Sequence, residues 1–296
     1  MITSHAKAPM RMPHVQTFER KRVDDLPFVR IDGCANRGFG LRELWEYREL
    51  LYFLIWRDIK VRYKQTAIGA SWAVLQPLLT MVIFTMVFGK FANMPSNGLP
   101  YPIFCLVALL PWTYFARSLN QSISSVVGNA NLITKVYFPR LLLPIAAVVS
   151  GIVDFAISFV FLIGMMIWYR IVPDWEILYL PFFVVLTMLT ALAVSLWLSV
   201  INVRYRDVGQ AVPFLIQIWM FASPVAYAVT VVPEEWRMVY SLNPMAGVVE
   251  GFRWALTTSE SPPIVPIAIS TIMVIALLYG GLVFFKRMEE TFADVI

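Results

Sequence analysis

Charge is scarce in this chain. Only 15% of its 296 residues are Asp, Glu, Lys or Arg, while 59% are hydrophobic and mean hydropathy is +0.68. A soluble domain carries about 25% charged residues. The composition excludes a disordered segment, a nucleic-acid module and an ordinary soluble enzyme, and it points to a membrane protein. Cysteine is nearly absent: Cys34 lies in a polar stretch and Cys105 in an apolar one, too few for a disulfide framework. The two histidines, His5 and His14, both lie near the N-terminus, so no His-based metal or catalytic site sits within the apolar stretches. A G-x-x-x-x-G-K-[ST] phosphate loop is missing, as are a G-x-S-x-G elbow, a zinc-ligand spacing and an Asp-rich calcium loop. The expectation is a chain that is not an enzyme and holds no cofactor of its own.

What is present divides into four parts. Residues 1–42 are polar and basic, with no apolar run of signal-peptide length, and are expected to form a cytoplasmic tail. Residues 43–65 place Leu44, Tyr47, Leu51, Ile55, Ile59 and Tyr63 at helical spacing, widened by Tyr52 and Trp56. Arg and Lys cover much of the rest, which predicts an amphipathic helix in the bilayer interface, either a simple anchor or a gate at an entrance. Residues 66–287 hold six apolar stretches, near 69–89, 101–116, 141–169, 177–201, 210–232 and 264–285. A span needs roughly 17–25 residues. Residues 288–296 form a short C-terminal tail. The predicted fold is all-α and integral to the membrane, with six transmembrane helices and short re-entrant helices over 233–263, between spans five and six.

Basic residues near span ends set orientation. Arg57, Lys60, Arg62, Lys64, Arg117, Lys135, Arg140, Arg204, Arg206, Lys286 and Arg287 fall on one side; Lys90, Arg170, Arg237 and Arg253 fall on the other. Both termini are therefore expected in the cytoplasm.

Polar groups inside apolar stretches are costly and so informative. Asp154 falls near the middle of the third stretch with no Lys or Arg expected at its depth, which leaves a hydroxyl, an indole or a backbone group as its partner. Its role is either structural hydrogen bonding or a step in a transport cycle. Trp72, Gln76, Thr80, Phe84 and Phe88 recur every four residues. Gln210, Phe214, Gln217, Phe221 and Pro224 recur at three- and four-residue steps. Amides alternating with aromatic rings suit a sugar chain, though helix–helix packing would use the same residues. Trp219 and Tyr227 fit a lipid-facing belt as well, and Gly247-x-x-x-Gly251 permits close helix contact.

Five segments carry a family resemblance: RYKQTAIGASWAVLQPL (62–78), NANLITKVYFPR (129–140), INVRYRDV (201–208), FASPVAY (221–227) and LNPMAGVVEGFRWAL (242–256). Through them the chain resembles the membrane subunit of ABC exporters for lipid-linked polysaccharides, such as O-antigen, capsule and teichoic acid. The resemblance spans about residues 43–287; the long N-terminal tail departs from it. It implies a permease of the bacterial inner membrane, working as two copies with two copies of a separate ATPase that supplies ATP and Mg. It assigns the entrance to Arg57, Lys60, Arg62, Tyr63 and Lys64, and ATPase docking to Asn129, Asn131, Leu132, Lys135, Tyr137, Phe138, Arg140, Arg204, Arg206 and Asp207. The channel would be lined by Trp72, Gln76, Thr80, Phe84, Phe88, Phe214, Gln217 and Phe221. Three rivals remain: an exporter of a small lipid or drug, a membrane-bound sugar acyltransferase, and a proton-driven transporter using Asp154.

Overall fold

A computed structural model describes residues 41–64, 71–257, 262–289 and 292. The tail expected over 1–42 lies almost wholly outside these residues, and the C-terminal tail is described only in part. Among the described residues the regular elements are mainly α-helices, with no strand: α1 (Leu41–Glu46), α2 (Arg48–Tyr63), α3 (Ser71–Phe84, continued by a π-helical turn over Thr85–Phe91), α4 (Tyr101–Gly128), α5 (Ala130–Lys135), α6 (Leu142–Ser150), α7 (Ile152–Trp168), α8 (Leu180–Arg204), α9 (Val208–Phe221), α10 (Glu234–Tyr240), α11 (Pro244–Thr257) and α12 (Ile264–Glu289). Among the described residues, five stretches are long and apolar enough to cross a bilayer: Ser71–Phe91, Tyr101–Gly128, Leu142–Trp168, Trp175–Arg204 and Ile264–Glu289.

α4 is the central post. No charge interrupts residues 101–116, and Ile103–Leu110 are each 0–1% exposed. Pro102 fits its first turn, where backbone N–H groups have no helical acceptor to lose. α8 packs along both α4 and α12. Two hydroxyls of α8 satisfy themselves on the preceding turn: Thr187 donates to Phe183 O and Thr190 to Leu186 O, each at 2.7 Å. That keeps polar atoms paired where water is excluded.

Four expectations are corrected. The second stretch does not end at 116: α4 runs on through 117–127 to Gly128. The third is broken at Gly151, where a Cβ would lie 2.8 Å from Ser118 Oγ and 3.1 Å from the Tyr114 ring; glycine lets α6 and α7 close onto α4. The fifth stops at Phe221, and its 14 residues extend about 21 Å at 1.5 Å per residue. That falls short of a hydrocarbon core of about 30 Å. Pro224 follows in a buried turn. The interfacial helix bends at Tyr47 into α1 and α2, and its apolar residues split. Leu44, Tyr47, Leu50, Leu51 and Ile55 pack with Leu54 against the protein, whereas Trp45, Tyr52, Phe53 and Trp56 are exposed.

Two helices do occupy the segment between the last two apolar stretches. α10 is exposed on much of its surface, but α11 is core: Met245, Val248, Val249, Phe252 and Ala255 are 0% exposed. Trp219 and Tyr227 are drawn into this cap rather than into a belt. Trp219 Nε1 donates to Asn243 Oδ1 at 2.9 Å, and the Tyr227 and Tyr240 hydroxyls meet at 2.9 Å.

Candidate functional site

A polar cavity of about 680 Å³ opens between α2, α3, α4 and α7. α4 supplies Arg117, Asn120, Gln121, Ser124 and Ser125, at helical steps that put all five on one face. α2 supplies Arg57, Asp58, Arg62 and Tyr63; α3 supplies Trp72, and α7 supplies Asp154.

Asp154 is 8% exposed and sits in the first turn of α7. Its partners overturn the expectation that no cation shares its depth. Arg62 Nη1 donates to Oδ2 at 2.5 Å, Arg117 Nη1 lies 3.5 Å away, and the Tyr63 hydroxyl donates to Oδ1. Arg62 also donates to Gln121 Oε1 and Ser150 Oγ. The reason is packing. The apolar side of α2 lies on α6, anchored by Leu54 at 1% exposure, which carries the last turn of α2 over the α6–α7 break. Burial and the bond to Asp154 push the Tyr63 phenol up to about 12.

The expected entrance residues divide accordingly. Arg57, Arg62 and Tyr63 line the cavity, whereas Lys60 and Lys64 are exposed and do not. Arg57 holds Asp58 at 2.8 Å and Asn129 Oδ1 at 2.8 Å. Lys60 lies over the Trp56 ring at 5.2 Å. Arg117, Gln121 and Ser150 were missed as site residues. The signal was the polar face of 117–125 continuing the helix register of 101–116.

Along the expected channel stripes, Trp72 and Gln76 are exposed, and Gln76 Oε1 accepts from Arg117 at 2.7 Å. The Thr80 hydroxyl turns back to Gln76 O at 3.0 Å. Phe84 is 7% exposed and belongs to the core, edge-on to Phe88 at 5.4 Å and 6.4 Å from Phe221. Phe214, Gln217 and Phe221 are exposed on α9.

The expected docking set also divides. Phe138 is 4% exposed, and Ile133 beside Leu132 is 6%. The Arg140 backbone N–H donates to Glu289 Oε1 at 2.6 Å, and its guanidinium lies over the Phe292 ring at 5.9 Å. Asn129 holds Arg57 and Ser125 O. What remains on the surface is Asn131, Lys135 and Tyr137, with Arg204, Arg206 and Asp207 at the α8–α9 turn. Val203, from the end of α8, shares one buried cluster with Ile133 and Phe138. Asn202 fastens that turn to α4 by donating to Ile123 O at 3.2 Å while accepting from Gly209 N at 2.9 Å.

The sequence profile of the ABC-2 type transporter family matches residues 49–257, more than half of the chain and all of the cavity. The chain belongs to the ABC-2 type transporter family. This ABC-2 protein is 30% identical over 258 residues to the O-antigen export system permease protein RfbA of Myxococcus xanthus, covering 86% of this chain and 98% of that one. It is 26% identical over 249 residues to the protein of the same name from Klebsiella pneumoniae, at 84% and 95% coverage. It is 22% identical over 251 residues to the polysialic acid transport protein KpsM of Escherichia coli, at 80% and 92% coverage. These relatives are transport subunits rather than enzymes, and the ABC-2 chain is a multi-pass membrane protein like them.

The pair geometry ranks the arginines of this ABC-2 protein. Arg62 Nη1 lies 2.5 Å from Asp154 with its side chain 25% exposed; Arg117 lies 3.5 Å away at 32%. Breaking a fully buried pair costs about 3–5 kcal/mol, and partial solvation here reduces that. Arg62→Leu is expected to destabilise the protein by roughly 2 kcal/mol and Arg117→Leu by less than half of that. Thermal unfolding in detergent measures both, and an inverted order would contradict the assignment of Arg62 as the principal partner.

Proposed function

We propose that this ABC-2 permease exports a lipid-linked polysaccharide from the cytoplasmic leaflet of a bacterial inner membrane, as two copies driven by two copies of a separate ATPase. ATP and Mg belong to that partner. The observation that carries the reading is near full-length similarity to permeases named for O-antigen and polysialic acid transport. The cavity supports it. Its arginines suit the diphosphate of a lipid carrier. Trp72 and the amides Asn120, Gln121 and Asn129 offer a ring face and hydrogen bonds to sugar. Both termini lie in the cytoplasm in this reading. The exposed residues Asn131, Lys135, Tyr137, Arg204, Arg206 and Asp207 are the docking surface. Their buried neighbours Ile133, Phe138 and Val203 share a cluster with Leu54 of α2, so motion imposed at the docking surface is delivered to the entrance helix.

Reversing charge at two exposed docking positions, Lys135→Glu with Arg206→Glu, is expected to cut ATPase co-purification and glycan export at least tenfold while leaving permease thermal stability unchanged, since surface substitutions stay within about 0.5 kcal/mol. Transport of the glycan by the permease alone in proteoliposomes, or recovery of the permease with no associated hydrolase, would refute the reading.

A further inference from the structure

The cavity is unevenly charged. Arg57, Arg62 and Arg117 line it against Asp58 and Asp154. Arg57 is engaged by Asp58, its neighbour in sequence, and by Asn129. Arg62 and Arg117 then share the single carboxylate of Asp154, at 2.5 Å and 3.5 Å. Two guanidiniums on one carboxylate leave positive charge in excess. The three groups come from three elements: Arg62 from α2, Arg117 from α4 and Asp154 from α7. Tyr63 adds a hydroxyl donor. Converging guanidiniums and a phenol are the donor set of a phosphate-type oxyanion site. A carboxylate of the chain fills it.

We propose that Asp154 is an internal competitor for a diphosphate group, displaced from Arg62 and Arg117 when that group binds. The inference rests on the reading of the cavity as the cargo entrance and adds what must be moved there. A diphosphate diester carries two negative charges and satisfies both guanidiniums, where Asp154 offers one. The cavity exceeds what a diphosphate requires, leaving space for a first sugar beside Trp72. Displacement has a mechanical consequence, because the Arg62 and Tyr63 bonds to Asp154 tie the last turn of α2 to α7. The rest of α2 is held through Leu54 and its apolar neighbours, so anion binding releases the end of the helix and leaves its anchor in place. Recognition of the carrier and opening of the entrance become one event.

The test uses the full chain in nanodiscs, spin-labelled at Lys60→Cys and Gly128→Cys in a Cys34→Ser background. Both labelled positions are exposed, and a Cβ at Gly128 meets nothing within 4 Å. Three probes separate the sources of phosphate: a polyprenyl diphosphate in neutral lipid, inorganic pyrophosphate in solution, and phosphatidylglycerol. The polyprenyl diphosphate is expected to broaden and lengthen the α2–α4 distance, inorganic pyrophosphate to do so only at far higher concentration, and phosphatidylglycerol not to do so. Asp154→Asn is expected to broaden the distance without any probe and to bind the polyprenyl diphosphate roughly tenfold more tightly, the scale of one charge-assisted hydrogen bond removed from competition. Arg62→Gln with Arg117→Gln is expected to abolish the response. Tyr63→Phe keeps every charge but removes one of the bonds that tie α2 to Asp154, and is expected to broaden the α2–α4 distance part-way without any probe. Unchanged or weaker affinity in Asp154→Asn overturns the proposal; if that variant does not fold, a probe-free α2–α4 distance in Tyr63→Phe identical to wild type does so. An equal response to phosphatidylglycerol overturns the diphosphate assignment. Because the readout is anion binding by the chain alone, failure of glycan export by the complete transporter bears on the proposed function and not on this site.

Discussion

Replacing Arg253 with methionine is expected to lower the unfolding midpoint by on the order of 10 °C, the equivalent of roughly 3–5 kcal/mol for a buried charged group removed from its partners. Arg253 is 6% exposed on α11. Nη2 donates to Val225 O at 3.0 Å and Nη1 to Tyr227 O at 3.3 Å, while Nη1 also meets Glu250 Oε1 at 3.0 Å. Its guanidinium lies 3.7 Å from the centroid of the Phe104 ring. One side chain thus closes the irregular 222–228 turn, whose carbonyls have few helical partners, against both α11 and the head of α4. Methionine fills similar volume but leaves two carbonyls without this donor in a place closed to water. Lysine retains charge but neither the planar fork nor the stacking, so Arg253→Lys is expected to recover less than half of the loss. Hydrogen exchange should rise first at 222–231 in both variants. A midpoint within a degree or two of wild type in Arg253→Met would mean that Arg253 does not hold the cap together.

This residue also marks where the sequence stops being legible. Run length and hydropathy suffice for helices such as α8 and α12, because each is apolar over its whole length and ends in basic residues. Periodicity does not say which neighbour a face meets. Asp154 looked isolated because only the long apolar stretches were considered at its depth, whereas its partner comes from α2, a helix whose charges suggested the bilayer surface. Phe84 sits on a perfect four-residue stripe with Trp72 and Gln76, yet the π-helical turn that follows and the approach of Phe88 and Phe221 bury it. Phe138 and Arg140 belong to a matching family motif, but Phe138 is buried in the cluster that holds Phe292, and Arg140 gives its backbone N–H to Glu289 and lays its guanidinium over the Phe292 ring. Motif and period locate a residue along the chain. Whether it faces a cavity, a partner or the core is set by contacts between segments far apart in sequence.

The glycines of α11 carry the last and most demanding of those contacts. Gly247 and Gly251, four apart, serve two different neighbours. A Cβ at Gly247 would lie 2.4 Å from Ser270 Oγ, the hydroxyl that accepts from Gly247 N at 3.2 Å and donates to Ser241 O at 3.1 Å. A Cβ at Gly251 would lie 2.1 Å from the Phe183 ring on α8. That ring is 2% exposed and is enclosed by Phe252 at 6.2 Å and Trp254 at 6.5 Å, so it has nowhere to swing. Forcing a methyl into a filled core costs about 1–3 kcal/mol and sometimes more. Alanine would lower helix-forming cost at an exposed site by about 1 kcal/mol, so the sign of the effect decides between packing and propensity. Gly251→Ala is expected to destabilise by at least 2 kcal/mol, the clash exceeding the gain in propensity. It should also reduce the proposed glycan export more than tenfold, since α11 bridges α4, α8 and α12 and cannot shift without moving all three. Phe183→Leu, which shortens the obstructing side chain, is expected to be destabilising alone yet to restore part of the stability of Gly251→Ala. The coupling in that double-mutant cycle should reach about 1 kcal/mol or more. Additive losses, or a Gly251→Ala protein as stable as wild type, would show that α11 has slack against α8, and the tight cap inferred from these distances would have to be abandoned.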